Sequence, residues 1–183
     1  TAAYGHKLVF LTLGGFIIAI AIEKWNLHKR IALHIISYIG TDLKMIILGF
    51  MVATDFLSMW ISNTATSVMM LPIGIVIIKQ IQDNSDFSGS ASNTFAKALM
   101  LSIGYSASIG GVSTLIGTPT NMVLAGAISQ IYDYEISFLE WFIFGFPLSI
   151  MILFFSWYYL TRIAFSFEQK RLPGGRAEIS KLK

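Results

Sequence analysis

Three long stretches of this chain contain no charged residue, and they constrain its fold more than any other feature. The stretches run from Phe56 to Ile78, from Ala98 to Tyr132 and from Trp141 to Thr161. Uncharged apolar runs of about 18 residues or more are typical of helices that cross a lipid bilayer. Charged residues make up only 13% of the chain, against about 25% in soluble domains. We therefore predict an all-α, polytopic membrane protein.

The rest of the composition argues against several other classes of protein. The chain has no cysteine, so neither disulfides nor thiol chemistry is expected. Its net charge is +3, but the basic residues form no stripe interleaved with aromatic residues. Nucleic acid is therefore not an expected partner. The chain begins at Thr1 without a signal-peptide pattern, and we expect it to be a fragment of a longer protein.

The apolar runs and the polar stretches between them predict an order of membrane segments. Basic residues follow the last apolar run, whereas the acidic loop "YDYE" (132–135) precedes it. The positive-inside rule therefore places the tail in the cytoplasm. The predicted order is a transmembrane helix (1–23), a cytoplasmic interfacial helix (24–40), a re-entrant hairpin (41–80, tip at 62–64), a cytoplasmic loop (81–93), a transmembrane helix (94–131, broken at 110–121), a further transmembrane helix (137–163) and a cytoplasmic tail (164–183).

A first polar interruption, "ISNTATS" (61–67), lies in the middle of an apolar stretch. In hydrocarbon an unpaired backbone N–H or C=O costs several kcal/mol, so a break there must be buried in protein or line a wet cavity. The hydroxyl and amide oxygens of Ser62, Asn63 and Thr64 suit a small hard cation. The N–H groups at the start of the next helix suit an anion.

A second polar interruption, "GGVSTLIGTPTN" (110–121), divides the next apolar stretch. We expect Gly110 and Gly111 to end a helix there and to leave carbonyl groups free. Thr114, Thr118 and Asn121 add further oxygens, and Pro119 fits the first turn of the following helix. A single Ser or Gly would more simply indicate close helix packing. Two interrupted helices in one chain are instead typical of the binding site of a secondary transporter.

The segments "FLSMWISNTATSVMMLPIG", "GGVSTLIGTPTN" and "GFIIAIAIEKWNLHKRIAL" resemble the divalent anion/sodium symporter family over about residues 14–163. The resemblance implies import of di- and tricarboxylates or sulfate, by a fold of two inverted repeats that forms a homodimer. It implies that this chain holds most of the first repeat, with a re-entrant helical hairpin and a broken transmembrane helix. The second repeat would be missing.

The resemblance also implies roles for individual residues. Ser58, Ser62, Asn63 and Gly111 match the family's sodium-binding positions, Gly111 through its backbone carbonyl. Asn63 and Thr64 match positions that contact a substrate carboxylate. Thr120 departs from the family, which usually has a second proline after Pro119. The resemblance therefore implies sodium-coupled symport of anions of the succinate, malate and citrate class across the cytoplasmic membrane.

Several alternatives stay open at this point. The cargo could be sulfate or another oxyanion, and coupling could use protons or exchange. An intramembrane hydrolase would need a serine beside a general base, but no histidine lies in the apolar part of a predicted span, since His6 precedes the first apolar run. We therefore expect no enzyme, no cofactor and no metal other than sodium. Asp55 lies inside an apolar helix, where it could add charge near the cation, bind a proton, or pair with Lys44 or Lys97.

Overall fold

A computed structural model of the chain describes residues 7–25, 30, 42–82 and 90–165. Most of the predicted interfacial helix, the predicted loop and the predicted tail lies outside these ranges. The prediction of an all-α chain is confirmed for the described residues, whose ordered elements are all helical. They are α1 (Lys7–Lys24), α2 (Leu43–Ser58), α3 (Asn63–Gln82), α4 (Ser90–Ser113), α5 (Pro119–Tyr132), α6 (Phe138–Tyr158) and a π-helix (Tyr159–Ala164) that continues α6.

Helix α2 forms the centre of the packed core. Asp42 caps its first turn, because the Asp42 carboxylate accepts a hydrogen bond of 2.9 Å from the Lys44 N–H. Phe50 and Met51 are fully buried, and most of the other α2 side chains are buried with them. α2 packs most extensively against α4, and also against α3 and α6. A helix buried on nearly every side fits the continuous apolar sequence that forms it.

Among the described residues, two helical stretches are long and apolar enough to cross a membrane, judged by length and composition. They are Ala91–Ser113, with a mean hydropathy of 1.2, and Phe138–Ala164, with a mean hydropathy of 2.0. The second stretch also leaves large apolar side chains uncovered, such as Phe144 at 73% exposure and Phe155 at 70%. Contiguous apolar surface of this kind is unfavourable in water and favourable against lipid.

Two tryptophans fix the direction of α6 relative to the core. Near the start of α6, the Trp141 indole N–H donates to the Val112 carbonyl at 2.9 Å. Near its end, the Trp157 indole N–H donates to the Lys44 carbonyl at 2.9 Å. α6 therefore runs antiparallel to α2 and α4. The ends of α2 and α4 consequently lie at the level of the first turns of α6.

Candidate ion- and substrate-binding site

A short connection joins α2 to α3 within the first polar interruption. α2 ends at Ser58 and α3 begins at Asn63, so the connection consists of residues 59–62, which we call the tip. The Ile61 N–H still bonds to the Leu57 carbonyl at 3.1 Å, which closes the last turn. The hydroxyl of Ser62 accepts from the Ala65 N–H at 3.3 Å and so caps α3.

This geometry places the start of α3 earlier than the sequence predicted. The sequence predicted a tip at residues 62–64, but Asn63 and Thr64 form the first turn of α3. The reason is the cap, since the Ser62 carbonyl already accepts the Thr66 N–H at 2.9 Å. The side chain of Thr64 is exposed beside the N-terminal end of α3.

The Ser58 hydroxyl connects the tip to α4. Its oxygen lies 2.8 Å from Asn63 Oδ1 and 2.6 Å from the carbonyl oxygen of Ala107. Ser58 is fully buried. A hydroxyl has one proton, so it can satisfy only one of these two acceptors fully at a time. Three oxygens around a single proton form an electron-rich cluster at the end of the hairpin.

The two glycines of the second interruption do not end α4, which continues through them to Ser113. The prediction that Gly110 and Gly111 break the helix was therefore wrong. Their role is close packing, because a methyl group at Gly110 would overlap the main chain of Asp55, and one at Gly111 would overlap the carboxamide of Asn63. Helical glycine lets the hairpin approach α4 at distances that any side chain would prevent.

The interruption itself consists of residues 114–118, and α5 begins at Pro119. Asn121 bridges it, since its Nδ2 donates to the Gly111 and Thr114 carbonyls, each at 2.8 Å. Thr114 joins it to the tip by donating its hydroxyl proton to the Met59 carbonyl at 2.6 Å. Asn121 and Thr114 are thus engaged within the protein: Asn121 closes the second interruption, and Thr114 joins it to the tip.

The structure brings together three of the residues assigned to the sodium site: Ser58, Asn63 and Gly111. Ser62 follows in the tip, with an exposed side chain that caps α3. Thr118 is partly exposed, and its hydroxyl lies 3.3 Å from that of Thr120 on the same side of the interruption. The sequence did not predict that the Ala107 carbonyl oxygen belongs to this cluster, because a backbone oxygen has no side-chain signal.

Asp55 lies one helical turn before Ser58 and is 4% exposed. Its Oδ1 has no hydrogen-bond partner among the described residues, so the structure provides no pairing of that oxygen with Lys44 or Lys97. A buried carboxylate oxygen without a partner is costly, which makes this residue unusual in the core.

The end of α2, the start of α3 and the end of α4 thus meet in a cluster of polar oxygens, an arrangement typical of the binding sites of secondary transporters. The comparisons with known proteins agree. The chain belongs to the citrate transporter family, whose model matches residues 1–179. The family relationship predicted from the motifs is therefore confirmed, and it is a family of transporters rather than enzymes.

Two curated relatives carry the name sodium-dependent dicarboxylate transporter SdcS. The relative from Staphylococcus saprophyticus is 49% identical over 183 residues, which cover 99% of this chain and 35% of the relative. The relative from Staphylococcus aureus strain USA300 is 49% identical over 181 residues, which cover 98% of this chain and 35% of the relative. The chain thus spans about a third of the length of the curated relatives that it matches.

Proposed function

We propose that this chain is part of a sodium-coupled symporter that takes up dicarboxylate-class anions, such as succinate, malate and citrate, across the cytoplasmic membrane. The observation that carries the proposal is the contact of Ser58, Asn63 and the Ala107 carbonyl at the junction of the two interruptions. The names of the two relatives support sodium and a dicarboxylate as the transported species.

The hairpin α2–α3 acts as a re-entrant element in this proposal. α2 has 16 residues and is about 24 Å long, shorter than the roughly 30 Å of a bilayer core. The backbone of Gly145 packs against the Val112 and Ser113 carbonyls, and Gly145 lies about 10 Å along α6 from Phe138 at the α-helical rise. The tip packs against the end of α4, so it lies about 10 Å from the start of α6. This distance supports a tip that ends inside the membrane.

Sodium in this proposal binds between the tip and α4. Its ligands are the side-chain oxygens of Ser58, Ser62 and Asn63 and the carbonyl oxygen of Gly111. The Gly111 carbonyl already accepts one hydrogen bond from Asn121, and its second lone pair stays available. The surplus of acceptor oxygens around Ser58 favours a cation, which needs acceptors and no protons.

The anion in this proposal lies against the N-terminal end of α3. The first N–H groups of a helix and its dipole attract negative charge, and here Asn63 and Thr64 form the first turn. Thr64 is exposed and can donate its hydroxyl proton to a carboxylate. Bound sodium would offset the charge of the carboxylate in a site with little water, so each ligand raises the affinity for the other.

The remainder of the complete protein supplies the other half of the site. We propose a second repeat, inverted relative to this one, with its own hairpin and interrupted helix, and a homodimer of the complete chain. The proposal keeps the predicted order of membrane segments. In that order, both ends of the hairpin and the segment after α6 face the cytoplasm. Inverted repeats of this kind place substrate and ion near the bilayer midplane.

Uptake into proteoliposomes tests the function directly. The complete protein is reconstituted, and entry of radiolabelled succinate is measured with an inward sodium gradient, with an inward proton gradient and with neither. Uptake driven only by sodium, and inhibited by unlabelled malate or citrate but not by sulfate, is the expected result. Uptake that follows the proton gradient, or that sulfate alone inhibits, would overturn the assignment of coupling ion or cargo.

A further inference from the structure

Among the described residues, three buried side-chain oxygens have no hydrogen-bond partner. One is Ser92 Oγ near the start of α4, and the other two lie one on each arm of the hairpin. These two are Oδ1 of Asp55 on α2 and Oγ1 of Thr66 on α3. Asp55 is 4% exposed and Thr66 is 0% exposed. Buried polar atoms nearly always have a partner, because the loss of water is otherwise uncompensated. Each atom therefore indicates a missing partner.

The two side chains occupy corresponding places on the arms. Asp55 precedes Ser58 by one helical turn, and Thr66 follows Asn63 by one helical turn, so each shares a helix face with its neighbour. The contact of 2.8 Å between Ser58 Oγ and Asn63 Oδ1 joins those faces at the tip. Asp55 and Thr66 are thus each one helical turn away from a residue of that contact.

No described basic side chain supplies the missing charge. On the helices that pack against α2, Lys79 and Lys97 are exposed. The other titratable groups on these helices are also exposed, namely Tyr105, Glu140 and Tyr158. On α2 itself, Asp42 is engaged in capping the first turn, and Lys44 lies in that same turn, about 16 Å from Asp55 at the α-helical rise. The Asp55 carboxylate is therefore left without a compensating cation from the described chain.

We propose that Asp55 and Thr66 form a second site for a monovalent cation, one helical turn below the sodium site at the tip. This inference rests on the proposed sodium-coupled function. A carboxylate oxygen and a hydroxyl oxygen are hard ligands that suit sodium. The bound cation supplies the charge that the Asp55 carboxylate lacks and the partner that the Thr66 hydroxyl lacks.

Equilibrium binding of ²²Na⁺ to the purified complete protein tests the proposal. Asp55→Asn removes the charge and keeps the size, and it should bind one sodium ion fewer per chain than the wild type. Thr66→Val keeps the shape and should weaken sodium binding at one class of sites by about fivefold, the scale of one neutral polar contact. Each variant is checked for a monodisperse profile on size exclusion.

Two matched variants serve as controls. Asp42→Asn makes the same chemical change at the start of α2, where Asn also caps a helix well. Thr54→Val removes a buried hydroxyl that already donates to the Phe50 carbonyl of its own helix at 2.6 Å. Both controls should bind as much sodium as the wild type.

The outcomes separate this inference from the proposed function. A wild type that binds no sodium would contradict the sodium-coupled function and the second site together. A sodium-binding wild type with an unchanged sodium count in Asp55→Asn and unchanged affinity in Thr66→Val would overturn the second site alone.

Discussion

At the scale of single residues, the candidate site depends on two glycines as much as on the polar side chains around them. Gly111 allows the Asn63 carboxamide to lie against the backbone of α4, and Gly110 does the same for the main chain of Asp55. The oxygens of Ser58, Asn63 and Ala107 can gather only because the hairpin comes this close. Substitutions at the glycines therefore test the geometry without removing a ligand atom.

Gly111→Ala should strongly weaken sodium binding, because the added methyl group displaces the Asn63 carboxamide. We expect the sodium concentration for half-maximal uptake to rise about tenfold or more, equivalent to about 1.4 kcal/mol. The matched control is Gly104→Ala, on the same helix, where a methyl group meets nothing within 4 Å. That control should keep its sodium dependence, since alanine favours a helix over glycine. Equal sodium dependence in both variants would show that the Asn63 contact is not part of the site.

Ser58→Ala should also raise the sodium requirement, because it removes the oxygen between Asn63 and the Ala107 carbonyl. Ser102→Ala is the matched control, since this buried hydroxyl donates to the Leu99 carbonyl of its own helix at 2.7 Å. The measurement is sodium-dependent succinate uptake by each variant at equal protein amounts. A larger defect in Ser102→Ala than in Ser58→Ala would contradict the assignment of Ser58.

At the scale of secondary structure, hydrogen bonds between the two interruptions hold the helix ends in register. Thr114 connects the residues after α4 to the Met59 carbonyl in the tip. Asn121 connects α5 to the last turns of α4 through two carbonyls. These side chains were predicted as possible ligands, and in the structure their donor groups bond to backbone oxygens, Thr114 to the tip and Asn121 within the second interruption.

Thr114→Val should destabilise the junction, because the buried Met59 carbonyl would lose its hydroxyl partner. We expect a loss of about 1–3 kcal/mol, the cost of leaving a buried acceptor unsatisfied. The measurement is the thermal unfolding midpoint of the purified complete protein. Thr161→Val is the control, since that hydroxyl bonds within its own helical segment, to the Trp157 carbonyl at 2.7 Å. A midpoint no lower in Thr114→Val than in the control would refute this role.

The sequence predicted an all-α chain, because apolar runs are local signals. It placed the second break too early, at Gly110 rather than after Ser113. Glycine weakens a helix by only about 1 kcal/mol, and tertiary packing against α2 outweighs that preference. Contacts between distant segments, such as Ser58 with the Ala107 carbonyl, have no local signal at all.

At the scale of the whole molecule, the described chain leaves one side of its polar tip uncovered. Ser62 and Thr64 are exposed, whereas Ser58 on the other side of the same junction is fully buried. Polar groups next to lipid without partners are unfavourable, so the complete protein must cover this side with protein or a water-filled cavity. The chain covers 35% of the relative from Staphylococcus saprophyticus, so that relative has further sequence outside the matched part.

Residues 1–183 expressed alone should therefore form a core that is intact around α2 but open at the tip. Amide hydrogen exchange, compared between this chain and the complete protein in the same detergent, measures the difference. Peptides from residues 62–67 should exchange faster in the isolated chain, because the covering half is absent. Peptides from residues 46–54 are the internal control, since Ile47 and Phe50 are fully buried within this chain. Equal protection at the tip in both proteins would mean that the second half does not cover it, which would argue against a shared binding site.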